Sequence, residues 1–135
     1  MRILKPQGIE IEFDDKKRHL LFNVNVIDEV QEKYDDYIVN ILNSLFDKEN
    51  NYNSRNAYNK LSFILLTLLN EDVRLHNKNN PDDKWEPITE DFINSELLTN
   101  DTSASLSILV LQSFNGTLPK SEDEDPNQAS GTTKK

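Results

Sequence analysis

The spacing of apolar residues changes near Ile27, and this change constrains the fold more than any other feature of the chain. Before Ile27, apolar and polar residues alternate, which is typical of strands with one buried face. After it, apolar residues recur every three or four positions, which is typical of amphipathic helices. The sequence therefore predicts a mainly α fold: a small domain of four or five helices that follows an N-terminal β-hairpin.

The hairpin is predicted within residues 8–26, where two alternating runs flank the polar connector 14–17. The apolar positions of the runs are Ile9, Ile11 and Phe13, then Leu20, Phe22 and Val24. The connector lacks the Asn-Gly or Asp-Gly pair that most favours a tight turn. The cross-strand ion pairs that we expect join Glu10 or Glu12 to Arg18 or Lys16.

Helices are predicted over residues 27–117. The first apolar stripe runs through Ile27, Val30, Tyr34, Ile38, Ile41 and Leu45. Asp35-Asp36 favours a break into two shorter helices, and residues 47–53 are typical of a loop. Ser54 suits the N-cap of the next helix, which is apolar on more than one face. We expect it to be the central, buried helix and to end near Leu75.

Two further helices and a tail complete the predicted order. Thr89 is a predicted N-cap for a short helix that reaches about Leu98. A last helix begins at Asp101 or Thr102, and Asn115-Gly116 is expected to stop it. Residues 1–117 then form one domain. Residues 118–135 contain almost no apolar side chain, so we expect an acidic, flexible, disordered tail.

The charge of the chain argues against several classes of partner. The 135 residues carry 24 acidic and 15 basic side chains, a net charge of −9. Nucleic acids and anionic membranes bind basic surfaces, so we expect neither as a partner. The chain has no cysteine, its first residues lack the apolar stretch of a secretory signal, and its longest apolar run is too short to span a bilayer. These features favour a cytoplasmic location.

No catalytic or ligand-binding motif is recognisable. His19 and His76 are isolated, and each is expected to be a surface histidine. The three glycines lie too far apart for a phosphate-binding loop, and residues 77–90 lack the central glycine of a calcium loop. We therefore expect no enzymatic activity, no cofactor and no bound metal.

Protein interaction is the chemistry that remains. The aromatic residues without an obvious place in a core are Tyr52, Tyr58, Trp85 and Phe92. Trp and Tyr are favoured at the centres of protein interfaces. Trp85, close to Ile88, either closes its loop over the core as a lid or faces a partner. The predicted partner-binding residues are Trp85, Ile88 and Phe92.

The order of these segments resembles the tail assembly chaperones of long-tailed phages and prophages, particularly those of low-GC Gram-positive hosts. The resemblance covers about residues 8–131. Its motifs are the Lys-rich hairpin turn, Ile-Asp-Glu-Val-Gln-Glu-Lys-Tyr at 27–34, Leu-Leu-Asn-Glu-Asp-Val at 68–73, the loop 75–85 that ends in Lys-Trp, Ile-Thr-Glu-Asp-Phe at 88–92, and the tail Leu-Pro-Lys-Ser-Glu-Asp-Glu-Asp-Pro-Asn at 118–127.

The resemblance implies a non-structural protein of the host cytoplasm that binds the phage tape measure protein, keeps it soluble and is absent from the mature virion. It also implies that a longer form, made by ribosomal frameshifting near Lys134-Lys135, recruits the tail tube protein. We would then expect an apolar groove between helices that accepts a helix of the client.

Two alternatives remain open. The chain is a structural head-tail or tail-completion component, which would be detected in purified particles. Otherwise it is a small acidic regulator that masks a basic partner in a tight one-to-one complex, whereas a chaperone would bind one client in many copies.

Overall fold

The computed structural model describes residues 8–46, 55–99 and 101–117, which form five helices preceded by a two-stranded antiparallel sheet. The predicted mainly helical class with an N-terminal hairpin is confirmed. The elements are β1 (Ile9–Phe13), β2 (Lys16–Leu20), α1 (Val24–Tyr34), α2 (Ile38–Asn43), α3 (Arg55–Asn79), α4 (Glu90–Phe92) and α5 (Ser103–Thr117). A 3₁₀ turn, Ser44–Phe46, follows α2, and a π turn, Ile93–Leu97, continues α4. The predicted tail 118–135 lies outside the described residues.

The hairpin turns through two residues, where the sequence predicted four. Asp14 and Asp15 both have positive φ, 58° and 59°. Two-residue hairpin loops of the type I′ class require positive φ at both central positions, and Asp tolerates this conformation better than most residues. Lys16 and Lys17, expected in the connector, therefore begin β2.

The shorter turn changes the register of the hairpin. Glu10 lies opposite His19, and Glu12 lies opposite Lys17. A two-residue loop in this position pairs even-numbered with odd-numbered residues, so the expected pairs with Arg18 or Lys16 are wrong. Arg18 instead lies opposite Ile11, on the other face of the sheet.

Asn23 ends the extended segment and begins the first helix. Its side-chain oxygen accepts a hydrogen bond of 3.0 Å from the N–H of Val26, which is a helix N-cap. The predicted hairpin range of 8–26 is therefore too long. The second strand ends at Leu20, and Val24, expected in a strand, is the first residue of α1.

The predicted break at Asp35-Asp36 is confirmed. Asp35 adopts the left-handed conformation, with a φ of 51°, and its N–H caps the end of α1. The side-chain oxygen of Gln31 accepts a 2.8 Å hydrogen bond from the N–H of Ile38, the first residue of α2. The apolar stripe thus continues on two helices joined by a short turn.

The central, buried helix is α3, as the sequence predicted. Its fully buried side chains are Leu61, Ile64, Leu65, Leu68 and Leu69. The helix continues to Asn79 instead of ending near Leu75. Because Pro81 disfavours helical dihedral angles at Asn80, the helix ends one residue before that position. The predicted loop 47–53 and the predicted N-cap Ser54 lie outside the described residues.

The last two helices begin close to where the sequence placed them. Thr89 caps α4, and its hydroxyl accepts a 3.1 Å hydrogen bond from the N–H of Phe92. Thr102, one of the two predicted caps, directly precedes α5. The predicted stop at Asn115-Gly116 is wrong, because both residues are helical and α5 extends to Thr117.

One hydrophobic core joins the hairpin to the helices. Its buried members are Leu20, Phe22, Val26, Val30, Ile38, Ile41, Leu42, Leu45, Leu61, Ile64, Leu65, Leu68, Leu69, Ile93, Leu98, Leu106, Val110 and Phe114. At the edge of this core, β2 packs against the C-terminal half of α3, where the N–H of His19 donates a 3.1 Å hydrogen bond to Asp72. This packing places the inward face of the hairpin beside the segment that follows α3.

Candidate functional site

Two asparagines on α3 fix the backbone of the segment between α3 and α4. The amide of Asn77 donates to the carbonyl of Trp85 (3.1 Å) and accepts from the N–H of the same residue (2.7 Å). Asn70 makes the same pair of bonds with Ile88, at 3.0 and 2.7 Å. The two asparagines are seven residues apart, which places them on the same face of a helix. They hold this segment, which has no regular secondary structure, along α3.

The side chain of Trp85 packs against the side chains of His76 and Arg18. Its ring stacks on the imidazole of His76, with ring centres 3.7 Å apart and planes inclined by 11°. The guanidinium carbon of Arg18 lies 4.8 Å from the centre of the Trp85 ring. Trp85 therefore covers the junction of the hairpin with the end of α3, while part of its surface remains exposed.

A second pair of aromatic rings extends this surface along the hairpin. Phe13 stacks on Phe92, with ring centres 5.3 Å apart. The guanidinium carbon of Arg18 lies 4.6 Å from the centre of the Phe13 ring, so one cation contacts the rings of both Phe13 and Trp85. These contacts join the hairpin to residues 85–92, two parts of the chain that are distant in sequence.

The rings line a concave cavity of about 280 Å³ between the hairpin and the segment before α4. We call it the Arg18 cleft and define it by Phe13, Arg18, Trp85, Ile88 and Phe92. Its rim carries two lysines and two carboxylates, from Lys16, Lys84, Asp14 and Glu86. Because the rim charges balance, Arg18 supplies the excess positive charge of the cleft.

Arg18 is buried without the hydrogen bonds that a buried guanidinium normally makes. Arg18 is only 3% exposed, and its Nε and Nη1 have no hydrogen-bond partner among the described residues. Burial lowers the pKa of Arg18, and the carboxylates of Asp72 and Asp14 oppose this effect. Asp72 itself accepts the N–H of His19, and burial raises the pKa of this carboxyl group.

A different buried charge, Glu71, lies where the start of α1 meets α3. Glu71 accepts hydrogen bonds from Asn23 (2.6 Å), Asn25 (3.1 Å) and Arg74 (2.9 and 2.7 Å). The bonds from Arg74 are the largest cause of a pKa of about 2 for Glu71, although burial opposes the shift. This cluster attaches the start of α1 to α3, and all its charges have partners.

The structure brings together the three residues predicted to bind a partner. Trp85, Ile88 and Phe92 are half-buried and line the same cleft. Their role in binding stays a prediction. The cleft lies between the hairpin and a segment without regular structure, and these residues do not form the expected groove between helices. Of the other aromatic candidates, Tyr58 is half-buried against the core, and Tyr52 lies outside the described residues.

Sequence reasoning missed four residues that build this surface: Phe13, Arg18, Asn70 and Asn77. Phe13 and Arg18 were interpreted only as hairpin positions, and Asn77 was placed in a loop because the helix was expected to end at Leu75. The signal in the sequence for the two asparagines that hold this segment is the seven-residue spacing of Asn70 and Asn77 on one face of α3. Both histidines are only partly exposed: His19 lies within 3.7 Å of Glu10, and His76 stacks on the indole ring.

Two negative findings apply to residues 8–46, 55–99 and 101–117. Within these ranges, no three His, Cys, Asp or Glu side chains are grouped so that they could ligate a metal ion. None of the helices there combines the length and the apolar character that crossing a membrane requires.

Comparisons of the chain with protein-family models, with curated proteins and with solved structures gave no match.

Proposed function

We propose that this chain is a non-enzymatic protein-binding module that acts as a phage tail assembly chaperone. In this role it binds the tape measure protein in the host cytoplasm, keeps it soluble while the tail assembles, and is left out of the mature virion. A longer, frameshifted form recruits the tail tube protein. The sequence resemblance suggests the client. The convergence of Trp85, Ile88 and Phe92 on one cleft is the observation that supports protein binding.

The contacts of the cleft suit a binding surface. Aromatic side chains contribute much of the energy at the centres of interfaces. The backbone of Trp85 is held by Asn77 and that of Ile88 by Asn70, so these residues lose little conformational freedom when a partner binds. A preorganised aromatic surface therefore offers affinity at a low entropic cost.

The exposed face of α1 suits the solubilising part of this role. Asp28, Glu29 and Glu32 are exposed there, on the side opposite buried Val26 and Val30. A client coated by several copies of a protein with a net charge of −9 acquires a large negative charge. Like charges on the coated client disfavour its aggregation.

Co-expression with the tape measure protein encoded downstream tests the proposal. We expect the client to become soluble only with this chain, and the purified complex to contain several copies of it per client. Trp85→Ala should lower the soluble fraction severalfold while circular dichroism shows a folded domain. Tyr37→Ala is the matched control, because Tyr37 is an exposed aromatic residue, 76% accessible, outside the cleft.

Three outcomes contradict the proposal. If the client is equally insoluble with and without the chain, the chaperone function is wrong. If mass spectrometry finds the chain in purified particles, it is a structural component. If it forms one tight complex with a basic partner in place of many copies on one client, it is a regulator.

A further inference from the structure

Arg18 presents hydrogen-bond donors that the chain itself does not use. The guanidinium carbon lies over the rings of Phe13 and Trp85, and an aromatic ring is not a conventional hydrogen-bond acceptor. Nε and Nη1 are buried and without a partner among the described residues, although a buried polar group without a partner is destabilising. The inward face of the hairpin therefore carries a desolvated cation that lines the Arg18 cleft and has two enclosed donors without a partner.

The chemistry of this group selects a carboxylate as its ligand. A guanidinium carries its N–H donors in one rigid plane, and both oxygens of a carboxylate can accept from it at once. The carboxylate also adds a hydrogen-bonded negative charge to the electrostatic influence of Asp72 and Asp14 on this buried cation. A neutral acceptor would satisfy a hydrogen bond but would add no negative charge beside the cation.

The size and lining of the cleft favour an amino-acid side chain as the source of the carboxylate. Its volume of about 280 Å³ is below that of typical cavities for small molecules and cofactors. Phe92 and Ile88 provide an apolar surface next to the cation, and Lys84 lies at the rim. An acidic side chain with an apolar neighbour matches this arrangement.

We propose that the Arg18 cleft binds a Glu or Asp side chain of a protein partner, with the carboxylate on Arg18 and an adjacent apolar side chain against Phe13, Ile88 and Phe92. The proposal deepens the proposed function and depends on it for the kind of partner. It adds a specific requirement, because the segment of the client that binds must contain an acidic residue.

The single tryptophan of the chain, Trp85, reports directly on this site. The full-length protein is titrated with N-acetyl-glutamate amide at constant ionic strength, and Trp85 fluorescence is recorded. We expect a saturable change in the millimolar range and no saturable change with the neutral analogue N-acetyl-glutamine amide. Arg18→Met should abolish the response, and Arg18→Lys should weaken it roughly tenfold, because Lys lacks the planar fork.

Lys17→Met is the matched control, since it removes a cation from the opposite, exposed face of the same strand. It should leave the affinity within about twofold, as expected for a solvent-exposed surface charge. An equal loss of response in Lys17→Met and Arg18→Met would show a general effect of charge and overturn the proposal. So would a response of the same size with the neutral analogue.

The acidic residues of the chain's own tail are a competing source of carboxylate. A full-length variant with Glu122→Gln, Asp123→Asn, Glu124→Gln and Asp125→Asn tests this source. An unchanged affinity for the probe supports a partner's side chain, and an affinity increased severalfold would overturn that assignment in favour of the tail. Because these titrations contain no client, their failure is distinct from failure of the co-expression experiment, which tests the chaperone function alone.

Discussion

Glu71 and Arg18 are both buried charges near the C-terminal half of α3, yet their surroundings differ. Glu71 is 8% exposed and accepts hydrogen bonds from Asn23, Asn25 and Arg74. Arg18 is 3% exposed and has two nitrogens without a partner among the described residues. Hydrogen bonds lower the pKa of Glu71 and favour its charged form, whereas burial lowers the pKa of Arg18 and disfavours its charged form.

This difference separates a charge that has partners within the fold from one that our proposal assigns to binding. The partners of Glu71 connect the N-cap of α1 to α3, so their energy contributes to folding. The contacts of Arg18 with Phe13 and Trp85 position the cation without neutralising it. Substitution of Glu71 should therefore lower stability, whereas substitution of Arg18 should weaken binding and change stability little.

The largest effect is expected for Glu71→Ala. The substitution leaves the side-chain donors of Asn23 and Asn25 without their acceptor and removes the ion pair with Arg74, so we expect a loss of about 2–3 kcal/mol in the free energy of unfolding. Urea denaturation measures it. Glu32→Ala, an exposed position on α1, is the control and should change stability by less than about 0.5 kcal/mol. Equal losses in both variants would contradict a special role for Glu71.

The pH dependence of stability gives a second test of the contribution of Glu71. The pKa of Glu71 is about 2 in the folded protein and 4.5 in its ordinary state, so its stabilisation is fully present above pH 4.5 and is lost as the pH falls toward 2. The loss amounts to at most about 3 kcal/mol. Urea denaturation between pH 2 and pH 7 should show a smaller decrease for Glu71→Gln than for the unsubstituted protein. Parallel pH profiles would contradict the assignment.

The smallest effect on stability is expected for Arg18→Met. Removing a buried cation for which Asp72 and Asp14 only partly offset the desolvation relieves an energetic cost, and the Met thioether retains contacts with Phe13 and Trp85. The free energy of unfolding should therefore change by less than about 1 kcal/mol. Thermal and urea denaturation measure the change. A loss above about 2 kcal/mol would show that Arg18 stabilises the fold as Glu71 does.

The pattern of apolar residues predicts most of the fold because burial of those residues drives it. The break at Asp35-Asp36 and the cap at Thr89 were predicted because both depend on local side-chain chemistry. The end of α3 was placed too early, because the polar residues before Asn79 resemble a loop although they are helical. The hairpin register was wrong because two aspartates form the turn without a glycine.

The candidate site was less predictable than the fold. Trp85, Ile88 and Phe92 were selected as aromatic or apolar residues in a polar region, and composition alone is sufficient for that choice. The contact between Phe92 and Phe13 joins positions 79 residues apart, and no periodicity within either segment indicates it. The hydrogen bonds of Asn70 and Asn77 to the backbone likewise depend on where the segment after α3 lies.

The sequence by itself determined the helical class, the hairpin, the central helix and the negative charge, because local periodicity and composition dictate these features. Only the tertiary structure decided that Arg18 is buried between Phe13 and Trp85 while Glu71 finds its partners within the chain. The physical reason is that burial and hydrogen bonding of a charge depend on residues that folding brings together from distant positions. A sequence gives the charge of a side chain, and the packed structure sets the energy of that charge.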